Sequence, residues 1–151
     1  MLGLDSPVGW VTLRGERALE SVRISAESEE GRPQSHTELE RVAAAQLEEY
    51  FSGSRTTFDV PIASTGTELQ QDVWRFLDTI PYGQSVSYGH IARELGLPPA
   101  AARAVGSAVG ANPVLIVRPC HRVLGADGSL TGFAGGIDAK LWLLQLEGVM
   151  L

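Results

Sequence analysis

Residues 87–109, SYGHIARELGLPPAAARAVGSAV, decide how this chain is read. Ser87 is placed to cap a short helix over residues 88–95, Gly96 stops it, and Leu97-Pro98 leads into a second helix over about residues 99–109. Ala101, Ala102, Val105, Ala108 and Val109 give that second helix a small-residue surface. Two short helices joined by a glycine-containing turn have the outline of a helix-turn-helix, a pattern that many helical hairpins share. Upstream, Thr67-Glu68-Leu69-Gln70 is a capping box, and Leu69, Val73, Phe76, Leu77 and Ile80 keep helical spacing until Pro81-Tyr82-Gly83. Downstream, Asn112-Pro113 precedes the apolar run Val114-Leu115-Ile116-Val117, which reads as a strand. The glycine-rich segments Gly125-Ala126-Asp127-Gly128 and Gly132-Phe133-Ala134-Gly135-Gly136 let backbone approach a ligand closely. Asp138 is placed to cap a last helix through Leu146, with Gly148 as its stop.

The N-terminal part is patterned differently. Alternation in residues 8–13, in residues 19–24 and in Phe58-Asp59-Val60-Pro61-Ile62 predicts three half-buried strands. Residues 27–34, acidic and carrying Gly31 and Pro33, suit a surface loop, and residues 36–51 have apolar positions at helical spacing, ending at Ser52-Gly53. Ala63-Ser64-Thr65-Gly66 is small, polar and aperiodic, the best boundary candidate. The reading is therefore α/β, in the α+β sense: a sheet-and-helix lobe over 1–62, a linker over 63–66, and a mostly helical domain over 67–151.

Hydrophobic residues make up 44% and charged residues 20% of the 151, ordinary values for a globular chain. No apolar run approaches the roughly 18 residues of a membrane span, and residues 1–5 lack the basic and apolar regions of a secretory signal, so the expected address is cytoplasmic. One cysteine and three scattered histidines, His36, His90 and His121, offer no zinc spacing; neither metal nor cofactor is expected. The net charge of −6 opposes phosphate binding on average. Yet residues 1–60 hold 11 acids against 6 basic residues, whereas residues 88–125 hold Arg93, Arg103, Arg118 and Arg122 against Glu94 and no other acid. A DNA-facing surface would lie there.

A lone cysteine is most often a buried small hydrophobe. Cys120, however, follows an apolar run, sits beside His121 and two arginines able to favour a thiolate, and precedes a glycine-rich loop. Adjacent residues of an extended chain point to opposite sides, so a Cys120–His121 proton transfer needs a bend or an intervening water.

Pro119-Cys120-His121-Arg122-Val123, with Asn112-Pro113 before it and Gly135-Gly136 beyond it, resembles the O6-alkylguanine-DNA alkyltransferase family. The resemblance covers nearly the whole chain. Asp5-Ser6-Pro7-Val8-Gly9 looks like that family's opening strand, Ile80-Pro81-Tyr82-Gly83 leads into Ser87-Tyr88 as in those proteins, and Ala101-Ala102-Arg103-Ala104-Val105-Gly106 and Trp142-Leu143-Leu144 through Glu147-Gly148 also match.

The resemblance implies a ribonuclease-H-like N-terminal sheet lobe and a C-terminal lobe with a winged helix-turn-helix. It implies a partner, double-stranded DNA carrying O6-alkylguanine, met by a monomer that can bind cooperatively. The helix over 99–109 would enter the minor groove, with Ala102, Ala104 and Gly106 small enough to fit and Arg122 on the DNA surface. The target base would be flipped out, Arg103 filling its place. Tyr88 would crowd the target phosphate and supply a proton towards N3. Cys120 would accept the alkyl group once, O4-alkylthymine being a further possible donor, with Glu147 holding His121 as its base and Asn112 bracing the turn. Val123, Phe133 and Ala134 would line the base pocket. Two positions depart from the family pattern. Arg118 stands where an apolar residue is usual, either facing solvent or DNA or lowering the thiol pKa, and Phe133 stands where tyrosine is common. The rival readings are a non-catalytic helix-turn-helix protein and a multiple-turnover cysteine hydrolase.

Overall fold

The computed structural model describes residues 1–29, 31, 35–63 and 65–150; parts of the expected 27–34 loop, and Ser64 of the boundary stretch, lie outside them. By internal contact the chain forms two units, Met1–Ala63 with Pro113–Val117, and Ser64–Asn112 with Arg118–Leu151. Helices and two small sheets are mixed, with five helices and five strands among the described residues. None of those helices is long and apolar enough to cross a membrane.

In the first unit, β1 (Leu2–Ser6), β2 (Gly9–Gly15) and β3 (Leu19–Ser25) form an antiparallel sheet in that order. Alternation places Val11, Leu13 and Val22 on the buried side, and the register shift between Arg14 and Gly15 brings Leu19, three residues before Val22, to the same side; all four are fully enclosed. The helix α1 (Glu38–Phe51) contributes Ala43, Leu47 and Tyr50 to the same core. Its start is tied to the sheet: Thr37 Oγ1 accepts from Glu40 N at 3.1 Å and donates to Gly15 O at 2.6 Å, while Glu40 Oε2 accepts from Gly15 N at 2.9 Å.

Two expected strands are not strands. Residues 58–62 make a single parallel bridge, Leu19 with Ile62, held by Leu19 N to Pro61 O at 2.8 Å. Pro61 has no N–H with which to extend a ladder. Residues 113–117, which the linear division put in the second domain, belong to the first unit and bridge β3 only at Val22 and Val114. The chain then reverses: Val117 N donates to Leu115 O at 2.7 Å around Ile116, whose φ is 71°. This is a three-residue γ-turn, a conformation that costs an L side chain about 1–3 kcal/mol. Ile116 is 1% exposed, and its burial offsets that strain. A buried apolar run looks the same in sequence whether it extends or turns.

In the second unit, α2 (Glu68–Leu77) opens on the Thr67/Gln70 capping box and ends at Leu77, short of Ile80. Trp74 anchors it, donating Nε1–H to Ala108 O at 2.9 Å. Gly66 is required there, because a Cβ would lie 2.8 Å from the Trp74 ring. The helix α3 (Tyr88–Glu94) is capped by Ser87, whose Oγ accepts from His90 N at 3.1 Å. A 3-10 turn, Pro99–Ala101, replaces the first turn of the second expected helix, and α4 runs Ala102–Gly110. The strands β4 (Val86–Ser87) and β5 (Val123–Leu124) pair in parallel, Val86 with Val123 and Ser87 with Leu124. The last helix, α5 (Ile137–Leu146), is not capped by Asp138; Gly136, at φ 95°, holds that position and Asp138 falls in the first turn.

Replacing Thr37 by Ala removes both the cap of α1 and its tie to β2. Urea denaturation is expected to show a loss of about 1–2 kcal/mol.

Candidate active site around Cys120

The short parallel pair β4–β5 determines what meets Cys120. It holds Ser87 and Tyr88, at the start of α3, beside the strand that directly follows the 3-10 turn Cys120–Arg122. Cys120 is 5% exposed and His121 fully enclosed. Asn112 Nδ2 donates to Arg118 O at 3.0 Å, joining the residue where the chain leaves this unit to the residue where it returns. The Asn112 side chain also hydrogen-bonds the sulfur.

Glu147 organises the centre. Its Oε2 meets His121 Nε2 at 2.7 Å and accepts from Arg122 Nη2 at 3.0 Å; its Oε1 accepts from Arg122 Nε at 2.8 Å and from Gly83 N at 3.1 Å. Arg122 Nη1 donates to Ile80 O at 2.6 Å. With Nε2–H given to the carboxylate, His121 Nδ1 is the basic nitrogen, and it has no hydrogen-bond partner among the described residues. Burial pushes the His121 pKa down despite Glu147, so the ring is a neutral base.

Burial also pushes the Cys120 thiol up, outweighing the Asn112 bond and the charges of Lys140 and Arg118. Of the two neighbouring arginines expected to favour a thiolate, Arg118 does act in that direction, too weakly to offset burial, and Arg122 is committed elsewhere. Arg122 spends its guanidinium on Glu147, and Arg118 is the smallest of the opposing influences. At rest the sulfur carries its proton, and a base must remove it before the sulfur can attack.

Two further expectations about arginines change. Arg122, assigned to a DNA-facing surface, is buried, so its charge is not available to a phosphate. Arg118 faces neither solvent nor a partner: it is 2% exposed, stacks over the Trp74 ring at 5.2 Å, and donates Nε–H to Asp78 at 3.3 Å. Arg103 and Ala104 are exposed on α4, Ala102 is half-buried, and Gly106 lies against the Tyr88 ring, where a Cβ would sit 3.7 Å from the nearest ring carbon. Phe133 is half-buried, its carbonyl accepting from Gly136 N, while Ala134 is exposed. Val123 is buried, and its carbonyl accepts from Lys140 Nζ at 2.7 Å.

Lys140 and Thr131 were not singled out from sequence. Lys140 is 1% exposed and, besides Val123 O, reaches Thr131 O at 3.4 Å and Thr131 Oγ1 at 3.3 Å. A signal was present: residues 140, 144 and 147 share one stripe of α5, so a lysine lies in line with Leu144 and Glu147 on the buried face. The Tyr88 hydroxyl makes a very short hydrogen bond to Thr131 Oγ1. No spacing rule links a helix start to a loop 43 residues away. No group of three or more metal-ligating side chains occurs among the described residues.

These features set one enclosed thiol and a carboxylate-held imidazole next to a pair of short helices. Comparison with known proteins makes the class specific. The family model for the DNA-binding domain of 6-O-methylguanine DNA methyltransferase matches residues 68–149. A methylated-DNA–protein-cysteine methyltransferase of Mycolicibacterium paratuberculosis is 48% identical over 148 residues, covering 95% of this chain and 89% of that one. One from Methanosarcina acetivorans is 47% identical, covering 95% of each. The crystal structure of Mycobacterium tuberculosis OGT in complex with DNA superposes with a TM-score of 0.86 at 46% identity, over 97% of this chain and 91% of that one. The chain belongs to the methylated-DNA–protein-cysteine methyltransferase family.

The two buried groups bound the pH range of stability. His121 titrates lower in the folded than in the unfolded chain, whose ordinary value is 6.5, so stability is complete above that value and falls as pH drops below it. Cys120 titrates higher when folded, so stability is complete below its ordinary value of 9.0 and falls as pH rises above it. Denaturation midpoints measured from pH 5 to 10 should decline at both ends, and Cys120→Ser should flatten the Cys120 contribution at the alkaline end.

Proposed function

We propose that the protein repairs alkylated DNA by direct reversal, moving the alkyl group from O6 of guanine in a duplex onto Cys120, once per molecule. The observation that carries this reading is the enclosed Cys120 thiol beside a neutral His121, one ring nitrogen held by Glu147 and the other left without a partner. His121 Nδ1 takes the thiol proton through a water, and Glu147 stabilises the imidazolium that results. The thiolate attacks the alkyl carbon in line, and the bond electrons return to the purine. The product thioether has no good leaving group, so the sulfur is spent.

The base is reached by flipping it from the stack. In this reading α3, the turn and α4 form a winged helix-turn-helix, with α4 in the minor groove presenting Ala102, Ala104 and Gly106, and Arg103 occupying the vacated space. Arg103 is exposed on the first turn of α4, as that role requires. Val123, Phe133 and Ala134 line the pocket. The Val123 carbonyl accepts from Lys140 and keeps a second lone pair for the guanine amine. Tyr88 supplies a proton to N3 as charge develops on the leaving purine. The sheet-and-helix lobe is of the ribonuclease-H-like kind, residues 67–112 and 118–151 are the DNA-binding and acceptor domain, and the protein acts as a cytoplasmic monomer.

Mixing the protein with a duplex containing O6-methylguanine should add one methyl group to the Cys120 peptide, stoichiometrically, and restore guanine. Multiple turnovers or modification elsewhere would overturn the reading. Cys120→Ser should keep duplex affinity and lose transfer; a non-catalytic binder would instead leave the wild-type peptide unmodified.

Arg103→Ala should leave stability within about 0.5 kcal/mol. It should slow single-turnover transfer from the duplex by on the order of a hundredfold, the scale of an unstacking cost of a few kcal/mol. Transfer from an O6-alkylguanine free base, which needs no flipping, should be unchanged.

A further inference from the structure

The Lys140 ammonium is enclosed without a carboxylate partner among the described residues. Its protein partners are two carbonyls and one hydroxyl, those of Val123 and Thr131, and such a charge is costly to bury unless an anion compensates it. The Cys120 sulfur, once ionised, is that anion: the two groups interact electrostatically, each favouring the charged form of the other. From Lys140 the contacts continue outward. Lysine only donates, so Thr131 Oγ1 accepts from Nζ at 3.3 Å, and the same oxygen makes the very short bond to the Tyr88 hydroxyl. Three segments converge on Thr131 Oγ1: the start of α3, the glycine-rich loop that carries Thr131 itself, and the first turn of α5.

We propose that Thr131 and Lys140 form a relay that positions the Tyr88 hydroxyl and restores its proton during alkyl transfer, Thr131 acting as a positioning residue between the other two. The proposal rests on the reading of Tyr88 as the donor to N3 of the departing guanine. At rest, the Tyr88 O–H donates to Thr131 Oγ1. With a base bound, the Tyr88 O–H turns to N3 and the Thr131 O–H turns to the phenol oxygen, a reversal that needs a group able both to donate and to accept.

As the Cys120 Sγ–carbon bond forms and the carbon–O6 bond breaks, the electron pair of the broken bond stays on the purine. The Tyr88 proton passes to N3, the Thr131 proton to the Tyr88 oxygen, and one Lys140 proton to Thr131 Oγ1. Thiolate and ammonium thus become thioether and neutral amine together. The proton lost by the thiol stays on His121 beside Glu147, the total charge of the site is unchanged, and no outside reagent is consumed.

The test is single-turnover transfer from an O6-methylguanine duplex, with protein in excess, for Thr131→Val, Thr131→Ser, Tyr88→Phe and the Tyr88→Phe/Thr131→Val pair, with duplex affinity and thermal unfolding measured alongside. Thr131→Val should slow transfer about tenfold, a part of what a positioned general acid supplies, with duplex affinity unchanged. Thr131→Ser should restore the rate to within about twofold. In the Tyr88→Phe background, Thr131→Val should slow transfer no further, because the relay has already lost its end. A slow Tyr88→Phe with a normal Thr131→Val, or an additive double variant, would overturn the relay and leave the donor assignment standing. A Tyr88→Phe variant at the wild-type rate would remove the donor assignment and the relay with it. Loss of rate in both Thr131 variants together with a lowered unfolding temperature would reassign Thr131 to a purely structural role.

Discussion

The Glu147 carboxylate, enclosed at the end of α5, is the constraint around which the site is built. It accepts from Arg122 twice, from Gly83 N and from His121, so a single anion joins the helix end, the turn before β4 and the segment that carries the cysteine. A buried carboxylate is tolerable only when its lone pairs are filled by good donors, and a bidentate guanidinium is the best of these. Burial keeps the imidazole neutral and basic against the pull of Glu147, and the Arg122 charge acts in the same direction as burial. Removing the arginine would change the chemistry of the histidine as well as the packing.

Enclosure gives the thiol two properties that oppose each other. It keeps Cys120 protonated at rest, which shields the sulfur from adventitious oxidation, as the proposed single use of Cys120 requires. It also makes ionisation costly, so the surroundings must supply compensation when the reaction calls for it. The Asn112 amide, the Lys140 ammonium and, more weakly, Arg118 provide it from fixed positions. Arg118 is held on Trp74 and Asp78, in the same part of the fold that ties α2 to α4. Its charge is therefore a static part of the site, a role that its position before Pro119 left undecided.

Helix starts were legible because their signals are local. The Thr67/Gln70 box and the Ser87 cap bond backbone groups within three residues, and they appear in the structure as read. The Asp138 cap failed because Gly136 reaches the same position with a backbone angle open to glycine alone. The strand expected at residues 114–117 failed for a related reason. Four apolar residues specify burial, but the reversal at Ile116 is held by surroundings that a short window does not contain.

The sequence by itself determined which cysteine is the candidate acceptor, which helices frame it and which residues are candidates to act on it, because caps, spacing and the Pro119–Val123 motif are short-range. Only the tertiary structure decided the ionic state of those residues. Whether Arg122 meets phosphate or Glu147, whether the thiol is anionic or neutral, and whether Lys140 is solvated or aimed at Thr131 all depend on burial and on partners such as Glu147, 25 residues from Arg122, and Thr131, 9 residues from Lys140. Charge, unlike helix formation, takes its free energy from everything that surrounds it in three dimensions.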